Sequence, residues 1–148
     1  MYNQRYLIRH LRGLLTASPE REVAVLMLDV DHFKQVNDEY GHDVGDAVLQ
    51  ELARRLAGAV RANDMVARYA GDEFLVMLDS VDRREDAERV CATLAELMAH
   101  PLGMLPADGE RPELGASIGY ALYPEDGQDV ETLIRHADQQ MYRRKRQS

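Results

Sequence analysis

Acidic residues occur in this chain at points where a rigid backbone would hold them. Asp29 follows an unbroken apolar run from Val23 to Leu28, and Asp72 and Glu73 occupy a short connection between two further apolar runs. A carboxylate where a buried strand emerges is held firmly and still reaches solvent, and antiparallel pairing of these segments would bring the two acidic groups together. They then offer hard oxygen ligands of the kind that Mg²⁺ (or Mn²⁺) takes along with water and substrate phosphate oxygens, and the chemistry to expect is phosphoryl transfer. Each acid alone suits a helix cap or a turn equally well; the combination points to a metal. Between them, Asp31-His32-Phe33-Lys34-Gln35-Val36-Asn37-Asp38 opens a helix directly after the strand, where exposed N–H groups and the helix dipole favour an anion. Asn37 and Asp46 add an amide and a carboxylate suited to the donor-rich edge of guanine, although each read singly is a turn residue or a solvated helix residue. No glycine-rich Walker loop is present, so a nucleotide would depend on metal and helix terminus.

The elements that must position these groups are legible from periodicity. Tyr6, Leu7, Leu11 and Leu14 recur at helical spacing between Tyr2 and Leu15, and Ser18-Pro19 closes that segment. Val23 to Leu28 reads as a strand buried on both faces. After it, Phe33, Val36 and Tyr40 predict a short helix with Asp31 as N-cap and Gly41 as its stop. A longer helix, opened by Asp43 or Gly45, carries Val44, Val48, Leu52 and Leu56 toward the sheet. Met65 to Tyr69 and Phe74 to Leu78 predict a hairpin around Ala70-Gly71-Asp72-Glu73. Ala87, Val90, Cys91, Leu94 and Met98 mark another helix, Pro101 to Pro112 a loop, Ser117 to Tyr123 a strand ended by Pro124, and Val130 to Met141 a last helix. Strands and helices mix around an antiparallel hairpin, an α+β arrangement.

Composition bounds the partners. The chain has 148 residues, 45% of them hydrophobic and 30% charged, which suits a single packed domain spanning residues 1–148. A formal net charge of -8 argues against non-specific nucleic-acid binding, so a phosphorylated ligand would arrive with metal ions. Cys91 is the only cysteine, which excludes an internal disulfide framework and fits a reducing, cytoplasmic setting. No apolar run reaches the roughly 18 residues of a membrane span, so no membrane contact is expected from this segment. Both ends are abrupt, and the expectation is one domain cut from a longer multidomain protein.

Leu28-Asp29-Val30-Asp31-His32-Phe33-Lys34-Gln35-Val36-Asn37-Asp38-Glu39-Tyr40-Gly41-His42-Asp43-Val44-Gly45-Asp46, followed by Arg68-Tyr69-Ala70-Gly71-Asp72-Glu73-Phe74, resembles a GGDEF domain of the diguanylate cyclase family. The match continues through Ser117-Ile118-Gly119 and Ala137-Asp138 to Tyr142 and Lys145. The resemblance implies a central, mainly antiparallel sheet flanked by helices, related to nucleotidyl cyclases and polymerase palm domains. It implies condensation of two GTP molecules into cyclic di-GMP with release of pyrophosphate, each protomer of a homodimer holding one GTP. It places the metal at the Asp29 and Asp72 side chains and the Val30 carbonyl, with Glu73 beside them, and makes Asp72 the proton acceptor. Asn37 and Asp46 match guanine-binding positions, Phe33 and Lys34 lie at the phosphate-binding turn, Ala70 and Gly71 border the substrate, and Lys145 matches a phosphate-contacting lysine. Arg61-Ala62-Asn63-Asp64 fits the family's inhibitory RxxD site for cyclic di-GMP, with Arg89 as a further contact.

The match departs from the family at Ala70, where the first hairpin glycine belongs. Two consequences follow for the backbone: either this position needs φ > 0 and the alanine is strained, or Gly71-Asp72 forms a turn needing φ > 0 at Gly71 alone. The alternative to an enzyme is a catalytically silent domain that binds cyclic di-GMP or GTP. Upstream, only Tyr2-Asn3-Gln4-Arg5 resembles the end of the family's DxLTGLxNR segment.

Overall fold

The run of Val23, Ala24, Val25, Leu26, Met27 and Leu28 is apolar at every position because both faces of its strand are covered. Ala24, Leu26, Leu28 and Val30 join one core with Val48, Leu52, Leu56, Leu94 and Met98, while Val23, Val25 and Met27 join the other with Leu7, Leu11, Leu133, Ala137 and Met141. The computed structural model describes residues 1–105 and 114–147. In chain order its elements are β1 (Tyr2–Asn3), α1 (Gln4–Ala17), β2 (Val23–Val30), α2 (Phe33–Tyr40), α3 (His42–Ala59), β3 (Met65–Ala70), β4 (Glu73–Asp79), α4 (Arg84–Met98), β5 (Ala116–Tyr123) and α5 (Val130–Gln147). Among the described residues the strands form one sheet in the order β1-β3-β4-β2-β5, antiparallel except where β1 runs parallel to β3. Helices α2, α3 and α4 contribute to the first core, and α1 and α5 to the second. This is the α+β, palm-like architecture expected.

Three local expectations need correction. The opening helix does not begin at Tyr2: Tyr2 and Asn3 pair with Ala67 and Arg68 at the sheet edge, and Asn3 then caps α1 by accepting from Tyr6 N at 2.8 Å. Asp31 is not the N-cap of α2. That place is taken by His32 in the left-handed region (φ 61°), with no side-chain cap, because the Asp31 carboxylate turns away to accept from Ser117 Oγ at 2.8 Å. The long helix starts at His42, ahead of Asp43 and Gly45, since Gly41 at φ 91° turns the chain from α2 into α3. The loop from Pro101 to Pro112 lies outside the described residues beyond Leu105.

The hairpin forms as expected, with Ala70 opposite Glu73 and Gly71-Asp72 as its loop. Neither backbone consequence drawn from Ala70 holds, because neither Ala70 nor Gly71 has a left-handed φ. A register shift between Arg68 and Ala70 adds local twist there, and the turn closes without a glycine-only conformation.

One glycine fixes where α5 lies. A Cβ on Gly119 would fall 2.1 Å from the Ala137 carbonyl oxygen and 2.3 Å from Met141 N, so β5 and α5 approach backbone to backbone. That contact carries the last turns of α5 across the sheet toward the end of β2.

Candidate active site

Strand parity aims the acids. Asp29 shares its face with Val25 and Met27, and Glu73 shares its face with Leu75 and Met77, so both carboxylates point to the side covered by α1 and α5. The β2–β4 register sets Asp29 directly opposite Glu73. Val30 N donates to the Asp72 carbonyl oxygen at 3.0 Å, which ties the hairpin tip to the end of β2. Asp29 and Asp72 lie close enough for the charge of Asp29 to act on the Asp72 carboxyl. Lys145, arriving on α5, donates to Asp29 Oδ2.

The electrostatics follow from crowding. Burial raises the Asp72 carboxyl above its ordinary range, and the neighbouring Asp29 charge raises it further. Glu73 is raised by burial first, then by Asp29 and by Asp138. Asp138 has no role in the sequence reading, yet it stands two helical turns before Lys145 on one face of α5, a spacing the sequence itself carries.

Asp29 Oδ1 is buried and receives no donor. An orphaned carboxylate oxygen beside a second carboxylate is an acceptor awaiting a cation. Among the described residues no three His, Cys, Asp or Glu side chains form a metal cage. Asp29 and Asp72 could supply the one or two carboxylates through which a hard cation such as Mg²⁺ binds, with water and phosphate completing its coordination.

On the other side of β2, Asn37 packs against Gly45, the residue that precedes Asp46 in α3. A Cβ on Gly45 would lie 1.8 Å from Asn37 Oδ1 and 3.2 Å from Phe33 Cζ, so α2 and α3 touch at this glycine; Asn37 is half-buried and Asp46 exposed. Phe33 is buried at the start of α2, Lys34 is exposed next to it, and among the described residues no side chain caps that helix terminus by a hydrogen bond. A Cβ on Gly71 would meet nothing within 4 Å, so the tip faces open space.

The Arg61–Asp64 pair is also brought together, with an unequal division of labour. Asp64 is buried, with Oδ2 accepting from Arg61 N at 2.8 Å and Oδ1 accepting from Asp79 N at 2.8 Å, so it holds the turn against β4. Arg61 donates to the Asp79 carbonyl oxygen and leaves its side chain 64% exposed, beside a cleft of about 240 Å³ lined by Arg61, Ala62, Asn63, Asp79 and Ser80. Arg89 is not in that lining; it pairs with Asp86 of its own helix at 2.9 Å.

The family profile described as "Diguanylate cyclase, GGDEF domain" matches residues 1–148. The chain belongs to the GGDEF domain family. As a GGDEF domain it is 41% identical over 138 residues to diguanylate cyclase TpbB of Pseudomonas aeruginosa, covering 93% of this chain and 31% of that protein. It is 35% identical over 156 residues to the response regulator PleD of Caulobacter vibrioides, covering 98% of this chain and 32% of that one. Among solved structures, the GGDEF domain of TpbB superimposes with a TM-score of 0.90 at 37% identity, covering 100% of this chain and 92% of that one. A sensory box/GGDEF family protein from Caulobacter crescentus gives 0.87 at 38% identity, covering 100% and 95%. The chain therefore spans less than a third of the length of these curated relatives. Among the described residues no helix is long and apolar enough to cross a membrane.

Proposed function

We propose that this GGDEF domain is a diguanylate cyclase, joining two GTP molecules into cyclic di-GMP with release of two pyrophosphates. The observation that carries the reading is the convergence of Asp29, Asp72 and Lys145 around a buried carboxylate oxygen that lacks a donor. In the reaction the ribose 3′-oxygen of one GTP forms a bond to the α-phosphorus of the other, the bond to pyrophosphate breaks, and the hydroxyl proton passes to Asp72. Asp29, Asp72 and the Val30 carbonyl would hold Mg²⁺ or Mn²⁺, with Glu73 beside them, and the cation would polarise the α-phosphate and lower the hydroxyl pKa. Asn37 and Asp46 would read guanine, while Phe33, Lys34 and the open terminus of α2 receive phosphates together with Lys145.

Each domain presents one such site, so two GGDEF domains face one another with a GTP each, and a homodimer is the working unit. The ordinary backbone at Ala70 and the open space at Gly71 favour this enzyme over a silent receptor, since the substitution brings no strain and both acids are kept. Product cyclic di-GMP would bind at Arg61, with Asp64 holding that arginine's loop and Arg89 as an outlying contact, and would act from there as a feedback inhibitor.

The test is incubation with GTP and Mg²⁺, alone and within a longer parent chain, followed by chromatography for cyclic di-GMP. Product that disappears in Asp29→Asn supports the reading; no product from either form rejects it.

A further inference from the structure

Arg21, in the short link between α1 and β2, reaches a partner far from it in the chain. Its Nη1 donates to both carboxylate oxygens of Asp79, 58 residues away at the end of β4, at 2.9 Å each. Asp79 is only 8% exposed, and a carboxylate so buried needs a partner of opposite charge. The same link is tied to the end of β4 a second time, where the Glu22 carbonyl oxygen accepts from Val81 N at 3.1 Å. Ser80 lies between the two ties in the left-handed region at φ 61°, an uncommon place for a residue with a Cβ.

Every polar group of Asp79 is engaged at the Arg61 cleft or beside it. Its N–H donates to Asp64 Oδ1 at 2.8 Å, its carbonyl oxygen accepts from Arg61 Nη2, and its carboxylate is held by Arg21. Asp79 and Ser80 line the cleft of about 240 Å³ together with Arg61, Ala62 and Asn63, whereas Arg21 stands behind that lining. The lining thus holds one cation, Arg61, and one acid, Asp79. An anion entering there gains from the first and is repelled by the second unless the carboxylate charge is offset. Arg61 does not offset it, because its guanidinium is turned to the Asp79 carbonyl oxygen and, at 3.4 Å, to Asp64 Oδ2.

We propose that Arg21 is an affinity-determining residue of this cleft, the counter-ion that lets a cavity bordered by an acid accept a phosphodiester anion. The inference rests on the reading of the cleft as the cyclic di-GMP site and adds to it a residue outside the RxxD motif. Arg21 acts through Asp79 and not by touching the ligand. Its charge cancels that of the carboxylate, and Arg61 is left as the net charge that the phosphate meets.

The test is titration calorimetry with cyclic di-GMP at low and high salt on the unaltered protein, Arg21→Gln, Asp79→Asn and the Arg21→Gln/Asp79→Asn double variant, with Arg61→Ala as reference. Arg21→Gln should bind about tenfold more weakly, and the deficit should shrink as salt rises, because an uncompensated carboxylate then borders the cleft. Asp79→Asn should bind as tightly as the unaltered protein or more tightly. The double variant should return to within about threefold of the unaltered protein, since no charge is left to offset. A role confined to folding predicts the opposite, because the double variant lacks the ion pair and would stay as weak as Arg21→Gln. That result overturns the proposal, and so does weaker binding by Asp79→Asn. Melting temperatures show which variants are folded; if Arg21→Gln is not, the double variant against Asp79→Asn decides by the same criterion. Binding that needs Arg61 and is indifferent to Arg21 overturns this inference alone and leaves the cleft reading standing. No binding of cyclic di-GMP by the unaltered protein overturns both. None of these outcomes depends on turnover, so the cyclase reading is tested separately.

Discussion

Lys145 and Asp29 form an ion pair across 116 residues of chain, joining the last turns of α5 to the end of β2. The lysine occupies Oδ2 of the carboxylate whose other oxygen has no donor, and so acts as a counter-ion for the crowded acids. A divalent cation entering there competes with Lys145, and the displaced ammonium is then close to where phosphates would lie.

Lys145→Met should therefore separate two affinities. Mn²⁺ alone, followed by paramagnetic titration, should bind several-fold more tightly because its competitor is gone. GTP in the presence of metal should bind roughly 10- to 100-fold more weakly, from the loss of one charge-assisted hydrogen bond. If both change in the same direction, the exchange of partners is wrong.

The raised carboxyls predict a pH dependence in chelated protein. Asp72 and Glu73 both have folded-state values above their ordinary range, so in the window just above pH 3.8 to 4.5 the folded form binds more protons than the unfolded. Their contribution to stability is present below the unfolded values and is lost as pH rises through the folded ones. Asp72→Asn should consequently raise the melting temperature at pH 7 without metal, flatten the pH profile, and abolish most of the stabilisation that Mg²⁺ gives the unaltered protein. Differential scanning calorimetry at several pH values would measure all three.

At Gly119 the prediction is purely steric. A methyl group cannot fit 2.1 Å from the Ala137 carbonyl oxygen, so Gly119→Ala must push α5 off β5. A loss of about 1–3 kcal/mol in urea unfolding is expected, with weaker GTP binding because Lys145 travels with the helix. Ala70→Gly, in contrast, relieves no strain, and its effect on stability should stay within about 1 kcal/mol.

The Arg61–Asp64 pair should divide by function. Arg61→Ala removes an exposed cation and should eliminate cyclic di-GMP binding in calorimetry while leaving the fold intact. Asp64→Ala strands the N–H groups of Arg61 and Asp79 and should destabilise the domain by about 1–3 kcal/mol. Equal stability of the two variants would refute this division.

Burial pushes the Cys91 thiol up to about 12, so it should resist maleimide in the folded protein and react once the chain is unfolded in urea.

What the sequence by itself determined was local in origin. Apolar runs and their periods marked β2, the hairpin and the helices, since burial of one or both faces is written directly in residue order. The long motif from Leu28 to Asp46 and the Asp72-Glu73 pair identified the family and the acids for the same reason: their members are near one another in the chain. Local reading failed where a distant partner outbid a neighbour. Asp31 left its helix for Ser117, Tyr2 and Asn3 left theirs for the sheet edge, and the hairpin turned without the glycine geometry expected of it.

Only the tertiary structure decided how separate segments meet. The β2–β4 register set Asp29 against Glu73, and close packing at Gly119 delivered Lys145 to Asp29. It also buried the Asp64 carboxylate against backbone N–H groups while leaving Arg61 outside. Charge, desolvation and hydrogen bonding act through distance in space, and residue order constrains that distance only within an element.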